Sequence, residues 1–263
     1  MDLGLGGKIA VVAAASKGLG RACAEEFAAE GARVVICARR PEELERARAD
    51  IAAKTRAEIH AVPADLSTMD GIDRVVTEAQ RRFGDVDILV NNAGGPPSGP
   101  FEQHSWDEWQ KAIDLNLRST VELTRRLLPA MRQRRWGRII NVTSIAVKQP
   151  VDGLILSNSV RAAVTGWART LANEVARDGV TVNNVLPGYT RTDRVEQLNA
   201  SRASAEGVPV EEIQRRTEAQ IPMRRLGEPR EFGAMVAFLA SERASYVTAQ
   251  SILVDGGWVR GLL

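Results

Sequence analysis

The sequence predicts an α/β domain built on a parallel sheet with helices covering its faces. Three observations lead there. Short apolar runs rich in Val, Ile and Ala alternate with longer helical stretches along the whole chain, the order that strand–helix–strand crossovers require. The first apolar run passes through a small-residue, glycine-bearing loop into a helix, and then into a second apolar run. The chain has 263 residues and is 44% hydrophobic and 26% charged, which is enough apolar material to core one such domain.

Residues 8–12 are short and apolar, as suits a strand buried on both faces. The loop after them ends in Gly18 and Gly20, and an Ala-rich helix over 21–30 is closed by Gly31. A second strand follows at 33–38. A helix that starts at such a turn presents unpaired N–H groups and a positive dipole end, so it favours an anion such as a pyrophosphate. Pro41 opens a charged helix, and residues 58–63 read as a third strand ending near Asp65. Ile72, Val75, Val76 and Ala79 form the stripe of a helix over 71–82. Residues 87–94 give a fourth strand with a polar end, 106–135 one long helix, and 138–143 a fifth strand.

The helix over 158–177 buries Val160, Val164, Trp167, Leu171 and Val175, and 180–186 is a sixth strand stopped by Pro187-Gly188. The polar, weakly periodic stretch 192–220 reads as a mobile helical lid. A helix over 229–240 and a last strand over 251–255 complete the chain. With no linker, repeat or low-complexity tract, residues 1–263 are expected to form one domain.

Net charge is +2, too small to argue for nucleic acid. Cys23 and Cys37 lack metal-ligand spacing, so free thiols in a reducing compartment, and no metal, are expected. Asp2 precedes a first apolar run too short to span a bilayer, and there is no charged leader. A soluble, cytoplasmic protein without a membrane segment is expected.

Residues 13–20, Ala-Ala-Ala-Ser-Lys-Gly-Leu-Gly, resemble the Thr-Gly-x-x-x-Gly-x-Gly loop of the short-chain dehydrogenase/reductase family, with Ala14 adding a methyl at the first glycine. The resemblance runs through nearly the whole chain. Asn91-Asn-Ala-Gly94 is the family's fourth-strand motif, and Asp65 falls at its adenine contact. Asn116 and Ser144 match its asparagine and catalytic serine. Pro187, Gly188, Thr190 and Thr192 resemble the loop that holds the nicotinamide carboxamide. Arg225-Leu-Gly-Glu-Pro229, residues 246–252 and Val254-Asp-Gly-Gly257 resemble the ends of 3-oxoacyl-(acyl carrier protein) reductases, with Ala249 at a usual glycine of the last strand.

What this implies is a Rossmann-like, doubly wound sheet of seven parallel strands. A nicotinamide cofactor would lie across their carboxyl ends, against Ala14, Ser16, Lys17, Gly18, Leu19, Gly20, Arg39, Arg40, Asp65, Leu66, Asn92, Ala93, Gly94, Arg161, Pro187, Gly188, Thr190 and Thr192. A homotetramer or dimer is also implied.

The family's Tyr-x-x-x-Lys falls on Ser157 and Arg161, with Ala162-Ala-Val164 keeping the register. The implied catalytic set is therefore Asn116, Ser144, Ser157 and Arg161. The family's tyrosine protonates the carbonyl oxygen as hydride arrives, and its phenol starts near pKa ~10. A serine hydroxyl is a far weaker and shorter donor, and an arginine is too basic to relay a proton. A polar helix start and a solvated arginine are as good a reading of this pair as a reshaped site. Lys148 is a candidate substitute acid, although a solvated lysine is the plainer reading; His104 reads as a surface residue. At Tyr189 the backbone is expected to matter more than the ring.

NAD-specific members carry an acid at the end of the second strand, where this chain has Ala38 followed by Arg39 and Arg40. With Lys17 these cations suit the 2′-phosphate of NADP(H). The basic run 131–138 ends a helix and reads first as a solvated face. Its sharper reading is a dock for an acidic acyl carrier protein, with Arg135 and then Arg177 as contacts. The expectation is an NADP(H)-dependent oxidoreductase acting on a ketone or 3-oxoacyl thioester. The rivals are a catalytically weak cofactor-binding protein, serving as sensor or partner subunit, and an interaction protein that has lost the cofactor.

Overall fold

The computed structural model describes residues 2–262. Seven strands, β1 (Ile9–Val12), β2 (Arg33–Ala38), β3 (Ile59–Pro63), β4 (Ile88–Asn91), β5 (Gly137–Val142), β6 (Val180–Pro187) and β7 (Ser251–Val254), form one sheet in the order β3-β2-β1-β4-β5-β6-β7. Every pairing is parallel. The order reverses between β1 and β4, and the crevice outside that switch point is where such sheets bind ligands.

The helices are α1 (Gly18–Ala29), α2 (Pro41–Thr55), α3 (Met69–Phe83), α4 (Trp106–Ile113), α5 (Ser119–Arg134), α6 (Ile155–Val175), α7 (Asp193–Glu206), α8 (Val210–Gln220) and α9 (Pro229–Ala240). Strand residues alternate between two cores, because successive side chains point to opposite faces. Ala10, Val12, Val34, Ile36, Val90 and Ile140 pack with α1, α2 and α9. Val11, Val35, Leu89, Ile139 and Val182 pack with α3, α5 and α6. Both faces are covered, which is why the strands read as continuous apolar runs.

Four details differ from the sequence-based expectations. The long helix over 106–135 contains a π-turn at Asp114–Arg118, which carries Asn116. Ala249 lies before β7 rather than in it, with φ +62°. Arg138 leaves the basic run: it is 2% exposed in β5, its guanidinium donates to the Ser241, Gly137 and Gly179 carbonyls, and it stacks 4.4 Å from the Trp136 ring centre. The His104 ring is buried rather than at the surface, with its Nε2 3.3 Å from the Gly99 carbonyl.

A ladder of amides crosses the sheet near its carboxyl end. Asn91 Nδ2 donates to Asn141 Oδ1 (2.9 Å), Asn141 Nδ2 to Asn184 Oδ1 (3.0 Å), and Asn184 Nδ2 to Ser251 Oγ (3.1 Å). The strand register places these four residues side by side. Buried polar groups paired this way fix the relative heights of β4, β5, β6 and β7, and the segments that follow them carry the site.

Candidate active site

Strand β1 delivers the chain into a loop whose shape depends on close backbone approach. A Cβ on Gly20 would lie 2.4 Å from the Ala14 carbonyl oxygen and 2.7 Å from Asn92 Nδ2. Asn92 Nδ2 donates to the Ala13 and Ala14 carbonyls, tying the loop to the end of β4. Gly18 has φ +59°, and Lys17, the residue before α1, gives no side-chain cap. The first N–H groups of α1 are thereby left to an outside acceptor.

Ala14 holds φ +48°, in the left-handed region that glycine occupies without penalty. The loop therefore keeps its shape at a cost of about 1–2 kcal/mol. Ala14→Gly should raise stability by about 0.5–1 kcal/mol, the relieved strain less the entropy a glycine adds to the unfolded chain. Urea unfolding of the two proteins checks this, and a less stable glycine variant would contradict it.

Three further segments converge on the loop. Thr192 places its methyl 3.6 Å from the Cβ position of Gly18, and its hydroxyl donates to the Thr190 carbonyl. A Cβ on Gly188 would meet Asp255 Cα at 2.7 Å, so the turn after Pro187 lies tight against the end of β7. Lys17 Nζ pairs with Asp193 Oδ2 at 2.6 Å, joining the glycine loop to the start of α7. Both partners are exposed, so the pair is worth little in stability. After β3, Asp65 Oδ1 accepts from the Ser67 N–H and hydroxyl, and Leu66 is buried. Arg40 pairs with Glu43, whereas Arg39 is exposed and has no acidic partner among the described residues. Ser16 and Leu19 are half-buried, and Gly94 is open on its Cβ side.

The expected catalytic residues come from three elements that meet at the ends of β4 and β5. Ser144 precedes a 3₁₀ turn (Ile145–Val147), where its Oγ accepts the Ala146 N–H at 3.1 Å and keeps its own proton to donate. Asn116 is 2% exposed; its Nδ2 donates to the Ala112 carbonyl, while its Oδ1 is buried without a partner. A π-turn is a common device at functional sites. Helix α6 packs against α4 and the π-turn through Leu156 and Val160 with Trp109, Ile113 and Leu117, and it also contacts the 3₁₀ turn after Ser144.

Ser157 and Arg161 lie one turn apart on α6, and both are buried. The Ser157 hydroxyl makes no hydrogen bond to a described residue. Arg161 donates from Nη1 to the Val142 carbonyl and from Nη2 to the Ala93 carbonyl (3.0 Å). Burial pushes its pKa down to about 10, and the nearby charge of Arg194 adds to the effect. The solvated reading of the arginine does not hold; it is a buried cation at the ends of β4 and β5. Sequence reasoning missed Arg194, which lies flat on Gly95 and donates to the Pro96 carbonyl at 2.8 Å. Its only sequence signal is a second cation just after Thr192.

Lys148 is exposed and unpaired among the described residues. The Tyr189 ring packs edge-on against Trp258, and its carbonyl accepts the Gly227 N–H. Cys23 and Cys37 are buried free thiols, and no helix among the described residues is long and apolar enough to cross a membrane. No group of three His, Cys, Asp or Glu among them could hold a metal ion.

These features fit a dinucleotide: an uncapped helix N-terminus, an open Gly94 backbone, and a buried cation without an acidic partner. The comparisons agree. A family model described as enoyl-(acyl carrier protein) reductase matches residues 13–259. The 3-oxoacyl-[acyl-carrier-protein] reductase of Aquifex aeolicus is 34% identical over 98% of this chain and 99% of its own. That of Vibrio cholerae is 36% identical over 97% and 98%. The L-sorbose reductase of Gluconobacter frateurii, solved with NADPH and L-sorbose, superposes with a TM-score of 0.94 at 34% identity over all of both chains. The chain belongs to the short-chain dehydrogenase/reductase family.

Proposed function

We propose that this protein is an NADP(H)-dependent oxidoreductase that reduces a ketone or 3-oxoacyl thioester through a site without the family's tyrosine acid. The observation that carries the reading is Arg161, buried between the Val142 and Ala93 carbonyls, together with a glycine loop that keeps its turn with Ala14 at its first glycine position. The similar enzymes named above, reductases of ketones and of 3-oxoacyl thioesters, support it.

When bound, the cofactor would supply hydride to the substrate's carbonyl carbon. The chain's own residues do the rest. Gly18, Leu19 and Gly20 offer backbone N–H groups to the phosphates, with Ala14, Ser16 and Lys17 shaping the approach. Asp65 and Leu66 border the adenine, Asn92, Ala93 and Gly94 the ribose, and Pro187, Gly188, Thr190 and Thr192 the carboxamide. Arg161 donates to ribose hydroxyls with the N–H groups its two carbonyl contacts leave free. Ser144 donates its hydroxyl proton as a hydrogen bond to the substrate oxygen, and Asn116 fixes the π-turn beneath it. Ser157 is too weak an acid to complete the transfer, so proton delivery to that oxygen falls to water and limits the rate. The helices over 192–220 act as the lid. A weakly catalytic cofactor binder is the second reading, favoured by the unpartnered Ser157 hydroxyl alone.

Among the described residues Arg39 is the cation left without an acidic partner for a 2′-phosphate, since Lys17 pairs with Asp193 and Arg40 with Glu43. NADPH should therefore bind more tightly than NADH. Arg39→Asp should cost NADPH about 1.5–3 kcal/mol, the worth of a hydrogen bond to a charged group. Fluorescence titration of both nucleotides is the check, and equal affinities in the native protein would overturn the assignment.

For the carrier dock, Arg132 and Arg134 are neutralised by Asp178, Asp85 and Asp87, which leaves Arg135 and Arg177 exposed without acidic partners among the described residues. Arg135 Nη2 lies 3.4 Å from the Arg177 carbonyl, so the two form one patch. They precede β5 and β6, at the end of the sheet opposite Ser144, about 20 Å away at a strand's rise per residue. A carrier docked there would serve the site of a second copy, in keeping with a homodimer or tetramer. Arg135→Glu should slow turnover of a carrier-bound thioester, increasingly at low salt, without affecting a small free thioester. Equal loss with both substrates would count against the dock.

A further inference from the structure

The π-turn that carries Asn116 reaches another part of the molecule through one side-chain hydrogen bond. The other side-chain bonds at residues 114–120 stay within their own helical run. Asn116 Nδ2 donates to the Ala112 carbonyl, the Ser119 and Thr120 hydroxyls to the Leu115 and Asn116 carbonyls, and Gln110 Nε2 to Asp114 Oδ1. The exception among the described residues is Arg118, whose Nη2 donates at 2.7 Å to the carbonyl of Ser67, 51 residues back in the chain. Its Nη1 meets Asp114 Oδ1 at 3.2 Å, so the guanidinium closes the π-turn end to end while it reaches across. The side chain is half-buried, but its Nε is sealed from solvent without a partner, which places that part of the group in the seam between the two segments.

Ser67 belongs to the turn after β3 that contains Asp65 and Leu66, the residues assigned to the adenine border. Asp65 holds that turn as one piece. Its Oδ1 accepts the Ser67 N–H at 2.9 Å and the Ser67 hydroxyl at 2.8 Å, and its carbonyl accepts the Thr68 N–H and hydroxyl. Thr68 then caps α3 through the Gly71 N–H at 3.1 Å, and Gly71 leaves no room for a Cβ against the Asp65 carbonyl. A ligand that packs on Asp65 and Leu66 therefore also settles the Ser67 carbonyl, and with it the acceptor that Arg118 uses. An arginine suits that span because its rigid fork donates in two directions at once, which an ammonium on a flexible stem does not fix.

We infer that Arg118 is a positioning residue through which the adenine end of the cofactor steadies the turn of Asn116. Binding energy from the adenylate, which does not react, is thereby used to hold the reacting end. This rests on the cofactor reading of Asp65 and Leu66, and the test separates the failure of that reading from the failure of the strut.

Hydrogen exchange of the segment 114–120 is followed with and without saturating 2′,5′-ADP, which carries the adenylate and the 2′-phosphate but no nicotinamide. In the native protein the fragment should slow exchange there by about 5-fold or more, the low end of a usual coupling between sites. Arg118→Met should lose that slowing, and Arg118→Lys should keep only part of it, so that either variant decides the question. The variants share any stabilisation of the whole fold by the ligand, so the difference reads the strut. The dissociation constant of 2′,5′-ADP should change by less than about 2-fold in Arg118→Met; a greater loss would make Arg118 a contact of the ligand itself and overturn the inference. In ketone reduction with NADPH, Arg118→Met should lower kcat by about 5-fold or more, the cost of a misplaced turn, while NADPH affinity holds. Equal slowing of exchange in the native protein and Arg118→Met, slowing in neither, or an unchanged kcat overturns the inference. Failure of 2′,5′-ADP to bind sinks the cofactor reading of Asp65 and Leu66 and the inference with it. Slowing relayed by Arg118 in a protein that reduces no ketone leaves the strut standing and sinks the reductase reading instead.

Discussion

Replacing Ser157 by Tyr and Arg161 by Lys together should raise the rate of ketone reduction with NADPH by about 10²-fold or more, the usual worth of a positioned general acid. The rest of the proposed catalytic frame has its geometry: Asn116 in its π-turn, Ser144 with a proton to donate, and α6 packed against both turns. Ser157→Tyr alone restores a phenol beside a guanidinium tied to the Val142 and Ala93 carbonyls, where the family has a lysine ammonium. Arg161→Lys alone restores an ammonium with no phenol to tune. The two changes should act more than additively, as coupled groups in one site do. Leu156 and Val160, on either side of Ser157 in sequence, are packed in a small core. A thermal melt of the double variant therefore belongs beside the rate measurement: lower stability with no gain in rate would mean that the space for the phenol has filled.

Arg161→Met should make the free protein more stable, by about 1–4 kcal/mol, the range found when buried charges give way to apolar groups of similar volume. Arg161 is 8% exposed and its charge meets no acid among the described residues, so the fold bears the desolvation cost. Its folded pKa, about 10, lies below its ordinary value. The unfolded chain therefore holds this proton over a pH range where the folded one has released it. Native stability from this group rises with pH across that range, and the cost is present in full below pH about 10. The advantage of the methionine variant should thus be greatest at neutral pH and shrink above 10. The same variant should bind NADPH about 10-fold less tightly, having lost a charge-assisted donor to the ribose. Denaturant unfolding and nucleotide titration of the pair give both numbers. A methionine variant less stable than the native protein at pH 7 would show that its two carbonyl contacts outweigh the buried charge. Stability surrendered for function is a common trade at binding sites.

Much of this fold is legible in the sequence because its strands are buried on both faces. Ile9–Val12 and Val34–Cys37 have no polar alternation to obscure them, and Gly18, Gly31 and Pro187 punctuate the elements that follow. The π-turn at Asp114–Arg118 was not legible, since one extra residue in a helical hydrogen-bond pattern leaves the composition unchanged. The amide ladder was hidden for another reason: Asn91, Asn141 and Asn184 become neighbours only once the strand register is known. Arg138 misled because a guanidinium can bury itself on backbone carbonyls and a Trp face, which a run of basic letters does not announce.

At the candidate site, the glycine loop, Asn92 and the position of Arg161 on α6 could be placed from spacing and resemblance. Two things could not. Whether Arg161 faces solvent or the sheet depends on the Ala93 and Val142 carbonyls that end two distant strands. That Ala14 and Ala249 both keep left-handed backbones, at positions where the family has glycine, shows only in the dihedral angles.

The central claim is a working cofactor site joined to a missing acid, and stopped-flow fluorescence reads both halves in one experiment. The native protein and Ser157→Ala are each loaded with NADPH and then mixed with a 3-oxoacyl thioester. Saturable NADPH binding should be followed by slow oxidation, well below the ~10 s⁻¹ of a typical enzyme, at the same rate in both proteins. Oxidation near that typical rate in the native protein, falling by about 10²-fold in Ser157→Ala, would show that Ser157 is itself the proton donor and would contradict the account.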